Sequence, residues 1–186
     1  YGNSAPIGKT KIITADTPVS PANCYGDSKV QAEKRLKLLE DENFKVVILR
    51  SPMIYGKGSK GNYPLLAKLA LKLPFFPRVQ NERSMLYIEN LCEFVRLMIE
   101  NEESGTFFPQ NSEYSNTSEL VEMIAAAHGK KIKLIGGFTR LLKIMSCFTG
   151  LVNKAFGNLT YERSISDYKE NYRVAELGDS VKRTEG

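Results

Sequence analysis

The chain has 186 residues and a mass of 20.9 kDa, with 42% hydrophobic and 25% charged residues. That balance excludes disordered, collagenous and low-complexity classes, and the length suits one domain or one and a half. The net charge of +5, from 26 Lys+Arg against 21 Asp+Glu, is scattered without a dense basic run, which argues against nucleic acid as a partner.

Residues 1–24 are rich in Pro, Ser, Thr, Asn and Gly and read as an exposed loop. From Tyr25 to about Glu42, Val30, Ala32, Leu36 and Leu39 recur at helical spacing between charges. Lys45-Val46-Val47-Ile48-Leu49 is a short β-branched run, the pattern of a buried parallel strand, and it ends at Arg50-Ser51-Pro52. A loop carrying Gly56, Gly58 and Gly61 follows. Tyr63 to Leu73 is a helix with Pro64 in its first turn, broken by Pro74 and Pro77. Met85 to Ile88 is extended, and Glu89 to Asn101 is an amphipathic helix. Thr106-Phe107-Phe108 is a second strand, introduced by Gly105. Thr117 to His128 is a helix with Asn116 or Thr117 as N-cap and Gly129 as its stop. Ile132 to Ile135 is a short strand, Thr139 to Phe156 a longer helix, and Ala175 to Arg183 a last helix after a Tyr-rich stretch. Helix, apolar strand and helix in alternation give an α/β fold with parallel strands. Two confident buried strands are few for a complete α/β domain.

Cys24, Cys92 and Cys147 are odd in number and lack Cys-x-x-Cys spacing. They argue against a disulfide framework or zinc ribbon and fit a reducing cytoplasm, the expected location. His128 is the lone histidine, so no metal site is expected. The longest apolar-rich stretch, residues 138–156, contains Arg140, Lys143 and Lys154 and does not suit a membrane span. Its broad apolar side reads as internal packing rather than membrane-surface binding. The first residue is Tyr1 rather than Met, so a start further upstream is expected.

The chemistry concentrates in Tyr25-Gly26-Asp27-Ser28-Lys29. Tyr and Lys four apart share one helical face. An ammonium beside a phenol favours the phenolate, which exchanges a proton with a substrate hydroxyl near neutral pH. The lysine can also hydrogen-bond a ribose. With nine tyrosines, roughly one Tyr-x-x-x-Lys arises by chance, so a plain surface pair stands as the alternative until context is added.

That context is Thr17-Pro18-Val19-Ser20-Pro21 before the pair, then Arg50-Ser51-Pro52-Met53-Ile54-Tyr55-Gly56, then Arg83-Ser84-Met85-Leu86-Tyr87-Ile88-Glu89-Asn90-Leu91. In this order, from Tyr1-Gly2 to about Asn111, the series resembles the extended short-chain dehydrogenase/reductases, specifically the NAD-dependent nucleotide-sugar epimerases and dehydratases. Within them it is most similar to the UDP-galactose 4-epimerase-like proteins. The resemblance implies that Tyr25 is the acid/base at the sugar hydroxyl and that Lys29 holds the nicotinamide ribose. It implies that Pro52, Met53 and Ile54 lie beside the nicotinamide and sugar, the other reading being an ordinary strand-exit loop. Asn62 would contact the nucleotide sugar or else cap the helix at Tyr63-Pro64. Arg83 would sit on the diphosphate, where a guanidinium fork suits two phosphate oxygens, or else be a surface arginine. Ser84 departs from the family's usual Asp. Phe76, with Pro77, would border the uracil. Arg163 would be a second phosphate contact or a surface ion pair.

Tyr1-Gly2 resembles the end of the family's Ser-Ser-x-x-Val-Tyr-Gly strand, whose catalytic Ser or Thr would fall before residue 1. The Gly-x-x-Gly-x-x-Gly loop for the NAD pyrophosphate is not in the sequence, and the loop from Gly56 to Gly61 has the wrong spacing. The resemblance therefore implies a C-terminal part: the trailing Rossmann-type parallel sheet at 1–55 and 88–111, and a small α/β substrate-binding domain at 56–87 and 112–186. It implies an NAD cofactor and a nucleotide-sugar substrate, and it allows a homodimer. The expected activity of the parent protein is 4-epimerisation, with a dehydratase or reductase on the same fold, or a non-catalytic nucleotide-sugar binding fragment, as alternatives. The isolated 186 residues are expected to be inactive.

Overall fold

A computed structural model describes residues 4–138, 142 and 150–186. Helix α1 (Cys24–Lys37) begins where Asn23, extended at φ −160°, accepts a hydrogen bond from the Gly26 amide at 2.9 Å. Asp27 in its first turn and Lys34, Arg35 and Lys37 in its last complement the helix dipole. The helical spacing predicts a run to Glu42, but α1 stops five residues earlier. The Asp41 carboxylate accepts from the amides of Asn43 at 2.7 Å and Phe44 at 2.9 Å, offering the backbone a turn instead of another helical step.

Helices α2 (Tyr63–Lys72), α3 (Ile88–Glu100) and α4 (Thr117–Ala127) lie within a residue of where their periodicity places them. Asn116 caps α4 by accepting from the amides of Ser118 and Glu119. At the other end Gly129 takes φ +68°, and Gly129 and Lys130 return their amides to Ala126 and Ala125. That pair of bonds closes the helix as a Schellman motif, which needs the left-handed conformation glycine adopts freely. Helix α5 (Gly150–Phe156) is the described end of the expected Thr139 to Phe156 helix. Residues 139–141 and 143–149 lie outside the described residues. Helix α6 (Leu177–Glu185) follows.

The strands form four parallel pairs: β1 (Ile12–Ile13) with β8 (Thr160–Tyr161), β2 (Val47–Leu49) with β6 (Gly105–Phe107), β3 (Met53–Tyr55) with β5 (Met85–Tyr87), and β4 (Phe75–Pro77) with β7 (Lys133–Ile135). In β3, Met53 lies opposite Met85 and Tyr55 opposite Tyr87. Each parallel partner needs a crossover, and helices supply it between β2 and β6. Val47 and Leu49 pack with Phe94, Leu97 and Met98 of α3. A larger core joins Tyr55, Tyr63, Leu66, Leu120, Val121, Ile124 and Val181 between α2, α4 and α6.

A buried polar web crosses between these layers. The Gln110 carboxamide accepts from Ser84 Oγ at 2.6 Å and donates to the carbonyls of Tyr161 and Glu162 and to Ser166 Oγ, at 3.1–3.3 Å. Asn111 accepts from the Tyr87 amide and from Asn90, which also donates to the Ala175 carbonyl. Most buried polar groups of folded proteins are satisfied in this way.

Gly157 sets a close approach of backbone to backbone. A Cβ there would lie 2.5 Å from the carbonyl oxygens of both Ala5 and Asn153. Gly157→Ala is expected to lower stability by about 1–3 kcal/mol through overpacking, read as a lower urea midpoint with unchanged slope. An unchanged midpoint would show that the two carbonyls yield at no cost.

Candidate active site

The exposed face of α1 looks across a cleft of about 640 Å³ at the end of β2. Tyr25, Lys29 and Glu33 line one wall, Val47 to Ser51 and Ile54 the other, with Tyr161 also on the lining. No residue of α1 is buried. The Ser28 hydroxyl donates to the Tyr25 carbonyl at 2.8 Å, and the capped first turn fixes the backbone that carries the phenol. Tyr25 itself is 72% exposed, and its ring lies 5.4 Å from Lys29 Nζ. An accessible phenol with an adjacent ammonium thus shares a cleft with β2 and with Arg50 and Ser51 just beyond its carboxyl end.

Glu33, one turn past Lys29, accepts two hydrogen bonds from Arg50, Nε at 3.1 Å and Nη2 at 2.5 Å. Hydrogen bonds from Arg50 hold the Glu33 carboxyl below its ordinary value, outweighing burial. The charged pair thus contributes stability that is complete above the ordinary carboxylate range and is lost as pH falls through that lowered value. The Arg50 guanidinium also lies 5.9 Å from the ring of Phe108.

A second, much smaller pocket of about 30 Å³ is lined by Met53, Asn62, Leu65, Arg83, Met85 and Ser115, among others. Arg83 is fixed on both sides: its amide donates to Ser115 and its Nη1 to the Gly157 carbonyl at 3.1 Å. Burial pulls its guanidinium below the ordinary value, since a charge there has lost water.

The residues singled out from the sequence therefore divide. Tyr25, Lys29 and Ile54 share the large cleft, while Met53, Asn62 and Arg83 share the small pocket. Pro52 is half-buried between Ser51 and Met53, at the passage from one to the other. Asn62 makes no side-chain cap bond to α2. Phe76 and Arg163 stand apart from both linings. The Phe76 ring is 2% exposed and packs 5.7 Å from Phe156. Arg163 stacks 4.7 Å over the ring of Tyr114. Glu33, Arg50 and Tyr161 are cleft residues that the sequence reading passes over. The signal for Glu33 was its place four residues beyond Lys29. Among the described residues no cluster of His, Cys, Asp and Glu could hold a metal, and no helix is long and apolar enough to cross a membrane.

Comparison with known proteins bears on the family and the fold. The UDP-glucose 4-epimerase of Vibrio cholerae is 35% identical over 117 residues, covering 60% of this chain and 36% of that protein. The N-acetyl-alpha-D-glucosaminyl-diphospho-ditrans,octacis-undecaprenol 4-epimerase of Escherichia coli O157:H7 is 29% identical over 149 residues, 72% of this chain and 44% of that protein. The chain thus spans less than half the length of these curated relatives. Among solved structures, a dTDP-4-dehydrorhamnose reductase from Clostridium acetobutylicum superposes with a TM-score of 0.69 at 17% identity, over 98% of this chain and 61% of that one. UDP-glucuronic acid 4-epimerase from Bacillus cereus, in complex with NAD, gives 0.68 at 15% identity, over 99% and 58%. These two share the fold, a Rossmann-type α/β architecture. The NAD dependent epimerase/dehydratase family model matches residues 1–108, more than half of the sequence, and the chain belongs to that family.

Proposed function

We propose that this chain is part of an NAD-dependent nucleotide-sugar epimerase that interconverts UDP-glucose and UDP-galactose. The observation that carries the reading is the exposed Tyr25–Lys29 pair on the capped start of α1, facing the end of β2. Residues 1–55 and 88–111 belong to the nucleotide-binding part in this reading, and 56–87 and 112–186 to the part that receives the sugar nucleotide.

The cleft suits a dinucleotide. It is open, and its walls combine an ammonium, a phenol and the apolar Ile54. Tyr25, Lys29 and Ile54 would hold the nicotinamide end, with Pro52 beside the cleft and Met53 turned to the small pocket behind it. When bound, NAD supplies the hydride acceptor and donor for the sugar carbon. The chain's own residues do the rest. Tyr25 takes the proton from the sugar 4-hydroxyl and returns it after the sugar has turned. Lys29 stabilises the phenolate and bonds the ribose. Arg83, with Asn62 beside it, holds the diphosphate so that the sugar turns without leaving.

The test is to incubate the intact protein with NAD and UDP-galactose and to follow UDP-glucose. Conversion supports the reading, and a dehydrated keto-sugar as product assigns the dehydratase alternative instead. A second reading has its own observation: the Escherichia coli relative that matches the larger share of this chain acts, by its name, on a sugar diphosphate carried by undecaprenol. Turnover of that lipid-linked sugar, with none of UDP-galactose, assigns this second substrate.

A further inference from the structure

Burial does not explain how α1 keeps its place, since none of its fourteen residues is buried. Yet it carries the two groups on which the proposed chemistry depends. Tyr25, Lys29 and Glu33 are spaced four apart and form one stripe along the helix. Glu33 is the member that reaches the sheet. Both of its oxygens are engaged by Arg50, in a fork that fixes direction as well as distance. Arg50 is itself anchored, because its amide donates to the Phe107 carbonyl at 2.9 Å, continuing the bonds between β2 and β6. The two side chains are 17% and 20% exposed, so water screens the pair only partly.

The pair also settles a competition within the helix. A free Glu33 would also attract Lys29 one turn before it, though less strongly than Lys37 one turn after it. Lys37 does approach Glu33, at 3.3 Å. Lys29 instead lies over the Tyr25 ring. We infer that the Glu33–Arg50 pair is a positioning device, which holds α1 against the end of β2 and leaves Lys29 to Tyr25. The inference rests on the acid/base reading of Tyr25. The charged and titratable groups that face this stripe across the cleft are Arg50 and the phenol of Tyr161.

The experiment uses the intact protein with NAD and UDP-galactose. In Glu33→Gln, kcat falls on the order of tenfold to a hundredfold, as expected when reacting groups lose their alignment. KM stays within about twofold, because substrate binding is untouched. The acidic limb of the kcat–pH profile moves to higher pH in Arg50→Gln, where the freed Glu33 carboxylate draws Lys29 from the phenol and its phenolate is less favoured. Arg50→Lys, which keeps the charge and loses the fork, gives the same shift in smaller measure. The exchanged pair Glu33→Arg with Arg50→Glu recovers part of the loss.

An unmoved limb with a kcat that falls only in proportion to folded protein would make the pair merely structural and overturn the inference. A limb that moves in Arg50→Gln but not in Arg50→Lys would report only the lost positive charge and overturn it equally. Tyr25→Phe separates the two layers. If it abolishes turnover while Glu33→Gln changes nothing, the positioning role fails and the acid/base role stands. If Tyr25→Phe retains full turnover, the acid/base role itself fails.

Discussion

Epimerisation by the intact protein is expected to fall by about 10²–10⁴-fold when Tyr25 is replaced by phenylalanine, with NAD still bound and stability unchanged. The size follows from what the substitution removes, a positioned group that exchanges a proton in the transition state. The unchanged stability follows from the structure. The phenol is mostly exposed, and the bonds that build the turn come from Asn23 and Ser28 rather than from the Tyr25 hydroxyl. Turnover measured beside a urea unfolding curve checks both halves. Full turnover with phenylalanine at position 25 would remove this residue from the chemistry, and lost turnover with a lowered midpoint would point to misfolding instead.

The second large effect concerns the buried web. Gln110→Leu is expected to destabilise the protein by about 3 kcal/mol, because several buried partners lose a hydrogen bond at once and each loss costs about 1–3 kcal/mol before relaxation. The partners differ in what they retain. Ser84 Oγ still accepts from the Tyr161 amide, and the Tyr161 carbonyl still accepts from Tyr114, while Ser166 Oγ keeps its bonds to Arg163 and Arg173. These remaining bonds keep the effect below a simple sum over four contacts. In a chain of this length the loss corresponds to a melting temperature lower by about 6–12 °C. A variant within about 1 °C of the parent would mean that the web relaxes around leucine without penalty.

Helices α2, α3 and α4 are legible because their apolar faces repeat over ten residues or more. Leu66 and Ala70 in α2, Phe94 and Leu97 in α3, and Leu120 and Ile124 in α4 all point to one side and are all buried. The short strands are not. β1 and β8 have two residues each, and β4 is Phe75-Phe76-Pro77, where Pro74 before it and Pro77 at its end read as breaks. Two or three residues carry no period, so only their partners reveal them as strands. The stretch from Pro52 to Ile54, for which a strand-exit loop is the other reading, is mostly strand for the same reason: Met53 to Tyr55 gains its order from Met85 to Tyr87.

The candidate site is legible to a similar degree. Tyr25 and Lys29 are neighbours along one helix, so their spacing alone brings them together. Arg50 is seventeen residues from Glu33, and Gln110 is fifty-six from Ser166; no local pattern joins such pairs. Folding makes them contacts, through the return of the chain from α1 to β2 and from β6 to β8.

Two adjacent side chains in β3 show what this compactness entails. Met53 belongs to the small pocket and Ile54 to the large cleft, as neighbours on a strand face opposite ways. A three-residue strand is therefore a party wall between two rooms, and it hangs on its pairing with β5 alone among the described strands. Neither room can be enlarged by sliding that wall without altering the other.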